Sequence, residues 1–417
     1  MNAFFDQAET RDPADREQAL FSALPGFLEH AMAKVPGLAR WLSGIDVSKV
    51  TDRASLARLP VLRKPELMEF QAAEPPLGGF ADPAALAGNH IFLSPGPLWE
   101  PQGLGADPAS AARAFFAAGI RAGDVVHNAF SYHMTPGGFM LDAGARALGC
   151  TVFPAGTGNT DMQVEAAAAL RPNVYCGTPD FLKLILDRAA ETGKDLSSFR
   201  RGLVSGGALF PSLRAEYRER GIDIFQCYAT AEFGVIAYES AAADGTANPG
   251  MLVNEHVIVE IVRPGTGDPV AEGEVGELVV TGFNAAYPLV RFGTGDLSAT
   301  LPGVSPCGRT NMRIGGWMGR ADQRTKVKGM FVDPKQIAEI VGRHPEIAKA
   351  RLVVTRDGDR DAMVLQVQPK PDSALDKAAL EASLRDVTKL GGQVEIVAPG
   401  SLPNDGRIIA DERDYSK

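Results

Sequence analysis

The stretch FGTGDLSAT, Phe292 to Thr300, sets one carboxylate, Asp296, on a bend flanked by Gly293 and Gly295. Gly-Asp is turn chemistry, so on these residues alone the segment reads as a surface hairpin. A second acidic candidate, Glu232, closes the run CYATAEFG (227 to 234), and the pair Gly206-Gly207 opens a small-residue loop in SGGAL (205 to 209). An aromatic and imidazole run, HNAFSYHMTPGG (127 to 138), carries His127, Phe130, Tyr132 and His133. Further along come GEVGELVVTGF (273 to 283), the basic GWMGRADQRTKVKG (316 to 329) and GSLPNDGR (400 to 407). Glycine-rich phosphate signatures are missing: there is no G-x-x-x-x-G-K-[ST] and no convincing G-x-G-x-x-G after a strand, which sets kinase, P-loop and Rossmann readings aside.

These residues need elements to hold them. At 417 residues the chain exceeds one ordinary core, and the length alone suggests two or three domains. Asp15 to Ala33 has helical periodicity, with a break expected at Pro25-Gly26 and a stop near Pro36; LARLPVLRKPELMEF follows, where Lys64-Pro65 reads as a helix start. From about 110 to 190, apolar runs such as DVVHNAF, CTVFPAG and NVYCGTP alternate with helical stretches, with Gly or Pro at nearly every switch. That alternation predicts βαβ units and a parallel sheet covered by helices. VIVEIVRPGTGDPVAEGEVGELVVTGF then reads as antiparallel strands, and the tail from Ala321 as a small α+β lid. The expected fold is α/β: an N-terminal domain over 1–320 with a β-rich subdomain from about 250, and a mobile C-terminal lid over 321–417.

Composition narrows the partners. Hydrophobic residues make up 45% and charged ones 22%, an ordinary globular balance. The net charge of −9 lacks the basic footprint that nucleic acid requires. Cys150, Cys176, Cys227 and Cys307 are scattered without C-x-x-C spacing, so neither a zinc site nor a disulfide framework is expected. The acidic N-terminus does not read as a signal peptide and no apolar run approaches bilayer length, so no membrane partner and a cytoplasmic location are expected.

Taken in order, the seven motifs resemble those of the AMP-forming adenylating superfamily of acyl-CoA synthetases, most closely its phenylacetate-CoA ligase branch. That branch carries runs like HNAYGYG, YGLSE, PLIRYRTGDL and GRSDDMLIIRG, and the resemblance covers nearly the whole chain. It implies an acid–CoA ligase using ATP, Mg²⁺ and coenzyme A on a small carboxylic acid. By that resemblance Asp296 accepts hydrogen bonds from the ribose hydroxyls, as an ionised carboxylate can. Glu232 holds Mg²⁺ against the α-phosphate, and Tyr228 packs beside adenine with Gly206, Gly207 and Ala208. Arg320 reaches nucleotide oxygens, Asp322 is the hinge, and Lys328-Gly329 faces the CoA side. His127, Phe130, Tyr132 and His133 line the acid pocket, whose aromatic floor favours a flat ring. A homodimer is one expectation for the assembly.

The chain departs from the family on the triphosphate side. Where relatives carry SSGTTGKP, it reads FLSPGPLWEPQG (92 to 103), with Ser94 and Gly96 but no Thr-Thr and no lysine. The glycine-lysine pair near the C-terminus becomes Gly406-Arg407, and an arginine fork does not replace a lysine point charge. Ala231 replaces a hydroxyl residue, for which Thr230 can substitute. Three readings therefore stay open: an aryl or arylacetic acid–CoA ligase with Glu232, Thr230 and Arg407 as its catalytic set; a catalytically impaired nucleotide- or acyl-CoA-binding relative; and an adenylating enzyme with an acceptor other than CoA.

Overall fold

The computed structural model describes residues 3–94, 97–321, 323, 325–357, 360–371, 373–403 and 408–413. Gly96, Asp322, Gly406 and Arg407, all singled out above, lie outside the described residues. The chain separates into two compact units, Met1–Met318 and Gly319–Lys417. Among the described residues no helix is long and apolar enough to cross a membrane.

The first unit opens with a helix over Pro13–Lys34, capped by the Asp12 carboxylate on the Ala14 N–H. Pro25 lies inside this helix and does not break it. Phe21, Leu24, Leu28 and Ala31 lock one face into a core, and tertiary burial of that stripe outweighs the single lost hydrogen bond. The first two strands that matter here are β1 (Leu62–Arg63), which runs directly into a helix over Lys64–Ala73, and β2 (Ile91–Leu93). β2 forms a hairpin with β3 (Trp99–Pro101).

The main sheet then builds through β4 (Val125–Asn128), β5 (Thr151–Pro154), β6 (Val174–Gly177), β7 (Arg201–Val204) and β8 (Asp223–Thr230). These five strands pair in parallel in the order β5-β4-β6-β7-β8. Helices over Gly137–Ala147, Thr160–Leu170, Pro179–Glu191 and Pro211–Glu219 make the crossovers that parallel pairing requires. β6 is buried along its whole length, as a strand covered on both faces must be. β9 (Gly234–Tyr238) returns antiparallel to β8, and β10 (Met251–Val253) continues the sheet.

A second sheet holds β11 (Val257–Val262), β12 (Gly276–Gly282) and β13 (Phe292–Ser298), antiparallel to one another. β1 adds in parallel to the far side of β13, pairing Leu62 with Phe292 and Arg63 with Gly293. Asp296 is therefore inside a strand, and the hairpin reading of FGTGDLSAT is corrected. Its glycines serve a bulge: Glu277 pairs with Leu297 but Val279 with Gly293, so Thr294, Gly295 and Asp296 all stand against Leu278. Gly295 takes φ +73°, which glycine adopts without steric cost. The main sheet ends in β14 (Thr300–Leu301) and β15 (Arg313–Ile314).

In the second unit, β16 (Thr325–Val327) and β17 (Met330–Val332) form a hairpin. A four-stranded sheet follows, β20-β19-β18-β21, from β18 (Ile347–Asp357), β19 (Arg360–Pro369), β20 (Gln393–Ile396) and β21 (Ile409–Asp411). Helices over Pro334–Arg343 and Lys377–Thr388 pack on it around Ile337, Ile340, Leu352, Leu365, Leu380 and Leu384.

Candidate active site

Ligands of open parallel sheets gather beyond the carboxyl ends of the strands. Three of the sequence-singled segments lie there: Asn128–His133 after β4, Ser205–Ala208 after β7, and Tyr228–Glu232 at the end of β8. The hairpin between β8 and β9 marks the change from parallel to antiparallel pairing, and Ala231, Glu232 and Phe233 form its turn. Gly234 closes that turn at φ +73°; a Cβ there would lie 2.5 Å from the Ala109 carbonyl oxygen, so only glycine fits.

The bulge aims Asp296 at this hairpin. The Tyr228 hydroxyl donates to Asp296 Oδ2 at 2.7 Å, and the Trp317 indole N–H donates to Oδ1 at 3.0 Å. Its own N–H donates to the Thr294 hydroxyl at 3.1 Å, which in turn donates to the Leu278 carbonyl at 2.8 Å. The carboxylate is thus fixed by its backbone and by two aromatic donors, and remains half-buried rather than enclosed. Asp296 is thereby tied to Tyr228, on the strand that leads into the turn bearing Glu232.

Glu232 is buried, with its Oε1 2.9 Å from the Lys64 ammonium. Burial is the largest single influence and raises its pKa, but the Lys64 charge, the Lys64 hydrogen bond and smaller contributions from the backbone and Thr230 together hold the carboxyl below its ordinary range. Lys64 reaches this position because β1 pairs with β13 and the helix starts at once: the Arg63 N–H donates to the Glu66 carboxylate at 2.6 Å, capping that start.

A second carboxylate, Glu100, joins the cluster. It pairs in register with Phe92 on the inner face of the β2–β3 hairpin and is 1% exposed. Ser94 donates to its Oε1 at 3.0 Å, while Oε2 is buried without a hydrogen-bond partner. Burial, and then the nearby charge of Glu232, push Glu100 well above the ordinary carboxyl range. The Gln71 side chain clamps this hairpin to the Lys64 helix, donating to the Trp99 carbonyl at 2.8 Å and accepting from the Trp99 N–H at 2.9 Å.

Beside Glu232 lies a small cavity of about 40 Å³, lined by Phe92, Phe139, Met140 and Phe233 together with the polar side chains of Gln102, Glu232, His256 and Asn284. Of the four residues expected in an acid pocket, none is among the residues that line this cavity. Tyr132 comes nearest: its ring packs edge-on against Phe139 at 5.3 Å, and its hydroxyl accepts from Asn128 Nδ2 at 2.7 Å. Phe130 packs on the core of the main sheet, and His133 is exposed. His127 is fully buried among Phe153, Tyr175 and Phe199, with Nε2 2.7 Å from Gln163 Oε1. Burial holds its pKa below the ordinary histidine value, the Gln163 contact opposing only in part.

Gly206 and Gly207 are exposed, Gly206 at φ +71°, and Ser205 pins their loop by donating to the Cys227 carbonyl at 2.8 Å. In the second unit, the Arg320 guanidinium lies 5.8 Å from the centre of the Phe331 ring. Lys328 and Gly329 form the two-residue turn between β16 and β17, at φ +49° and +83°, the left-handed pair that a tight hairpin demands. The Lys328 N–H donates to Asp361 Oδ2 at 2.8 Å.

Sequence reading missed Lys64, Glu100 and Trp317 as site residues. For Glu100 a signal was present: setting SPGPLWEP (94 to 101) against SSGTTGKP, proline on proline, puts Glu100 where the family's loop has its lysine.

Comparison with known proteins finds likenesses over most of the chain. Residues 109–287 match the family model described as AMP-binding enzyme. Phenylacetate-coenzyme A ligase of Aromatoleum evansii is 29% identical over 363 residues, 83% of this chain and 80% of the relative. The Pseudomonas putida protein of the same name is 28% identical over 425 residues, 96% of this chain and 94% of the relative. Among solved structures, 2-hydroxyisobutyryl-CoA ligase in complex with 2-HIB-AMP and CoA matches with a TM-score of 0.82 and 25% identity, covering 99% of this chain and 93% of that one.

Proposed function

We propose that this chain, whose residues 109–287 match the family model described as AMP-binding enzyme, works as an AMP-forming carboxylate–CoA ligase whose acid carries a flat or compact apolar group. The observation that carries the reading is the Asp296 carboxylate, fixed by Tyr228 and Trp317 at the carboxyl end of the main sheet, beside the hairpin that bears Glu232.

The chemistry has two steps. The acid's carboxylate oxygen attacks the α-phosphorus of ATP, breaking the bond to pyrophosphate and forming an acyl-adenylate. The CoA thiolate then attacks the acyl carbon and AMP leaves. Neither step needs a nucleophile from the protein, whose task is positioning and charge stabilisation. Asp296, an acceptor-only group, would take the ribose hydroxyls, with Tyr228 holding both it and the adenine edge. Gly206, Gly207 and Ala208 leave room for a flat base. The Phe92, Phe139 and Phe233 wall encloses only about 40 Å³, so these rings would have to part to bury the acid's apolar end.

Mg²⁺ suits the donors present. Glu232 is ionised and buried, and Glu100 offers an unpartnered carboxyl oxygen; hard oxygen donors are what Mg²⁺ takes, with phosphate and water completing its shell. Bound there, the ion would neutralise charge building on the phosphates. Lys64 keeps Glu232 ionised meanwhile. Arg320, Lys328 and Gly329, with Asp322 and Arg407 of the undescribed residues, remain our assignments for the lid's part in the cycle.

The test is pyrophosphate release from ATP with a panel of aryl, arylacetic and short hydroxy acids, with and without CoA. Release that continues into a CoA thioester is expected; no release with any acid overturns the ligase reading, and release without thioester transfers it to another acceptor. Asp296→Ala should raise KM for ATP by roughly 10- to 100-fold, the worth of lost hydrogen bonds to a charged group, and leave KM for the acid within about twofold. Equal effects on both substrates would remove Asp296 from the ribose.

A further inference from the structure

The phosphate loop of this chain has exchanged a cation for an acid, and the acid has a place to act. Glu100 stands at the loop's lysine position, 1% exposed, with Oε1 held by Ser94 and Oε2 buried without a hydrogen-bond partner. Glu232, on the neighbouring hairpin, lines one cavity with Phe92, the register partner of Glu100, and with Pro101, its chain neighbour. The Lys64 ammonium lies 2.9 Å from Glu232 Oε1, and the Gln71 side chain ties the Lys64 helix to the hairpin that bears Glu100. A buried carboxylate with one oxygen unsatisfied costs free energy unless a proton or cation completes it. Side chains from three separate segments build this arrangement, and Gln71 clamps two of them, the Lys64 helix and the β2–β3 hairpin, to each other.

We propose that Glu100 is a second protein ligand, beside Glu232, for a hard divalent cation of the Mg²⁺ class, so that the metal supplies the positive charge the loop has lost. Two carboxylates, phosphate oxygens and water make an ordinary Mg²⁺ shell. The cation turns a repelling pair into a ligating pair and leaves the cluster net positive where triphosphate arrives. The assignment rests on the site being the nucleotide site, but its readout needs no turnover.

The experiment measures Mn²⁺ binding to the full chain by electron paramagnetic resonance, alone and with a non-hydrolysable ATP analogue, in parallel with the Mn²⁺-induced shift in Tm. Wild type is expected to bind Mn²⁺ and gain Tm; Glu100→Gln, which keeps the shape and the Ser94 contact, should weaken Mn²⁺ by about tenfold or more and lose most of the Tm gain, as loss of a carboxylate that serves the metal does. Glu232→Gln should do the same. A purely structural Glu100 would change the metal-free Tm and leave the Mn²⁺ increment intact. Wild-type affinity in Glu100→Gln, or no Mn²⁺ binding by wild type, overturns the proposal. A protein that binds Mn²⁺ through Glu100 yet releases no pyrophosphate refutes the ligase reading alone.

Discussion

Burying a titratable side chain links folding to pH, and His127 does so at the centre of the main sheet. Its folded pKa is held down by burial, so the unfolded chain accepts a proton that the native one resists. Protons therefore favour unfolding: the stability is complete above the unfolded value of about 6.5 and declines as pH falls below it. His256, half-buried and shifted downward chiefly by desolvation in the same sense, adds its own slope. Urea midpoints should drop between pH 7 and 5, by up to about 1.4 kcal/mol per pH unit for each imidazole. His127→Phe should roughly halve that slope while costing about 1 kcal/mol at pH 7, where Gln163 loses its partner; an unchanged slope would mean His127 is protonated when folded. His127 also shows where residue-level reading stops. Its type and neighbours suggested a pocket, but the alternation along β4 turns it into the core. Glu232 and Asp296 were legible from their motifs; Lys64, 168 positions before its partner, and Trp317 were not, because only the pairing of β1 with β13 and the fold of the chain around it bring them near.

Between elements, Arg291 does the joining. It is 1% exposed at φ +45°, with Nε donating to Glu260 of β11 at 3.0 Å. Its remaining nitrogens donate to the carbonyls of Ala57 and Leu59 in the opening segment and of Gly267 in the β11–β12 connection. One guanidinium thus ties the helical start to the second sheet just before β13 enters its bulge. Arg291→Met leaves Glu260 buried without its cation and three carbonyls without a donor. It should lower unfolding free energy by about 3–5 kcal/mol in urea denaturation, and Arg291→Met/Glu260→Met should recover part of the loss. A loss under about 1 kcal/mol would show the pair to be dispensable. The alternation of strands and helices between 110 and 190 was readable because parallel strands and their crossovers differ in period. The bulge was not, because Gly-x-Gly-Asp satisfies turn and bulge chemistry equally and only the register against β12 separates them.

At the scale of the molecule, each unit has a core of its own. Residues 319–417 enclose Val327, Ile337, Leu352, Leu365, Leu380 and Val394 between one sheet and two helices, an ordinary small α+β domain. Expressed alone they should melt cooperatively by far-ultraviolet circular dichroism, with an enthalpy of about 60–80 kcal/mol; a gradual, non-cooperative loss of signal would make the second unit dependent on the first. Its sequence made it visible through an α+β pattern that begins where the β-rich run ends, though not through any single boundary residue. The two units also differ in what they let an observer see. Trp41, Trp99 and Trp317 and all four cysteines fall within Met1–Met318, and the second unit has neither residue type. Cys150, Cys176 and Cys227 are buried, so alkylation of these thiols clocks the opening of the first unit. Indole emission follows that same half of the chain. To both probes the smaller unit is dark, and an unfolding curve drawn from fluorescence alone describes three quarters of the protein while passing for the whole.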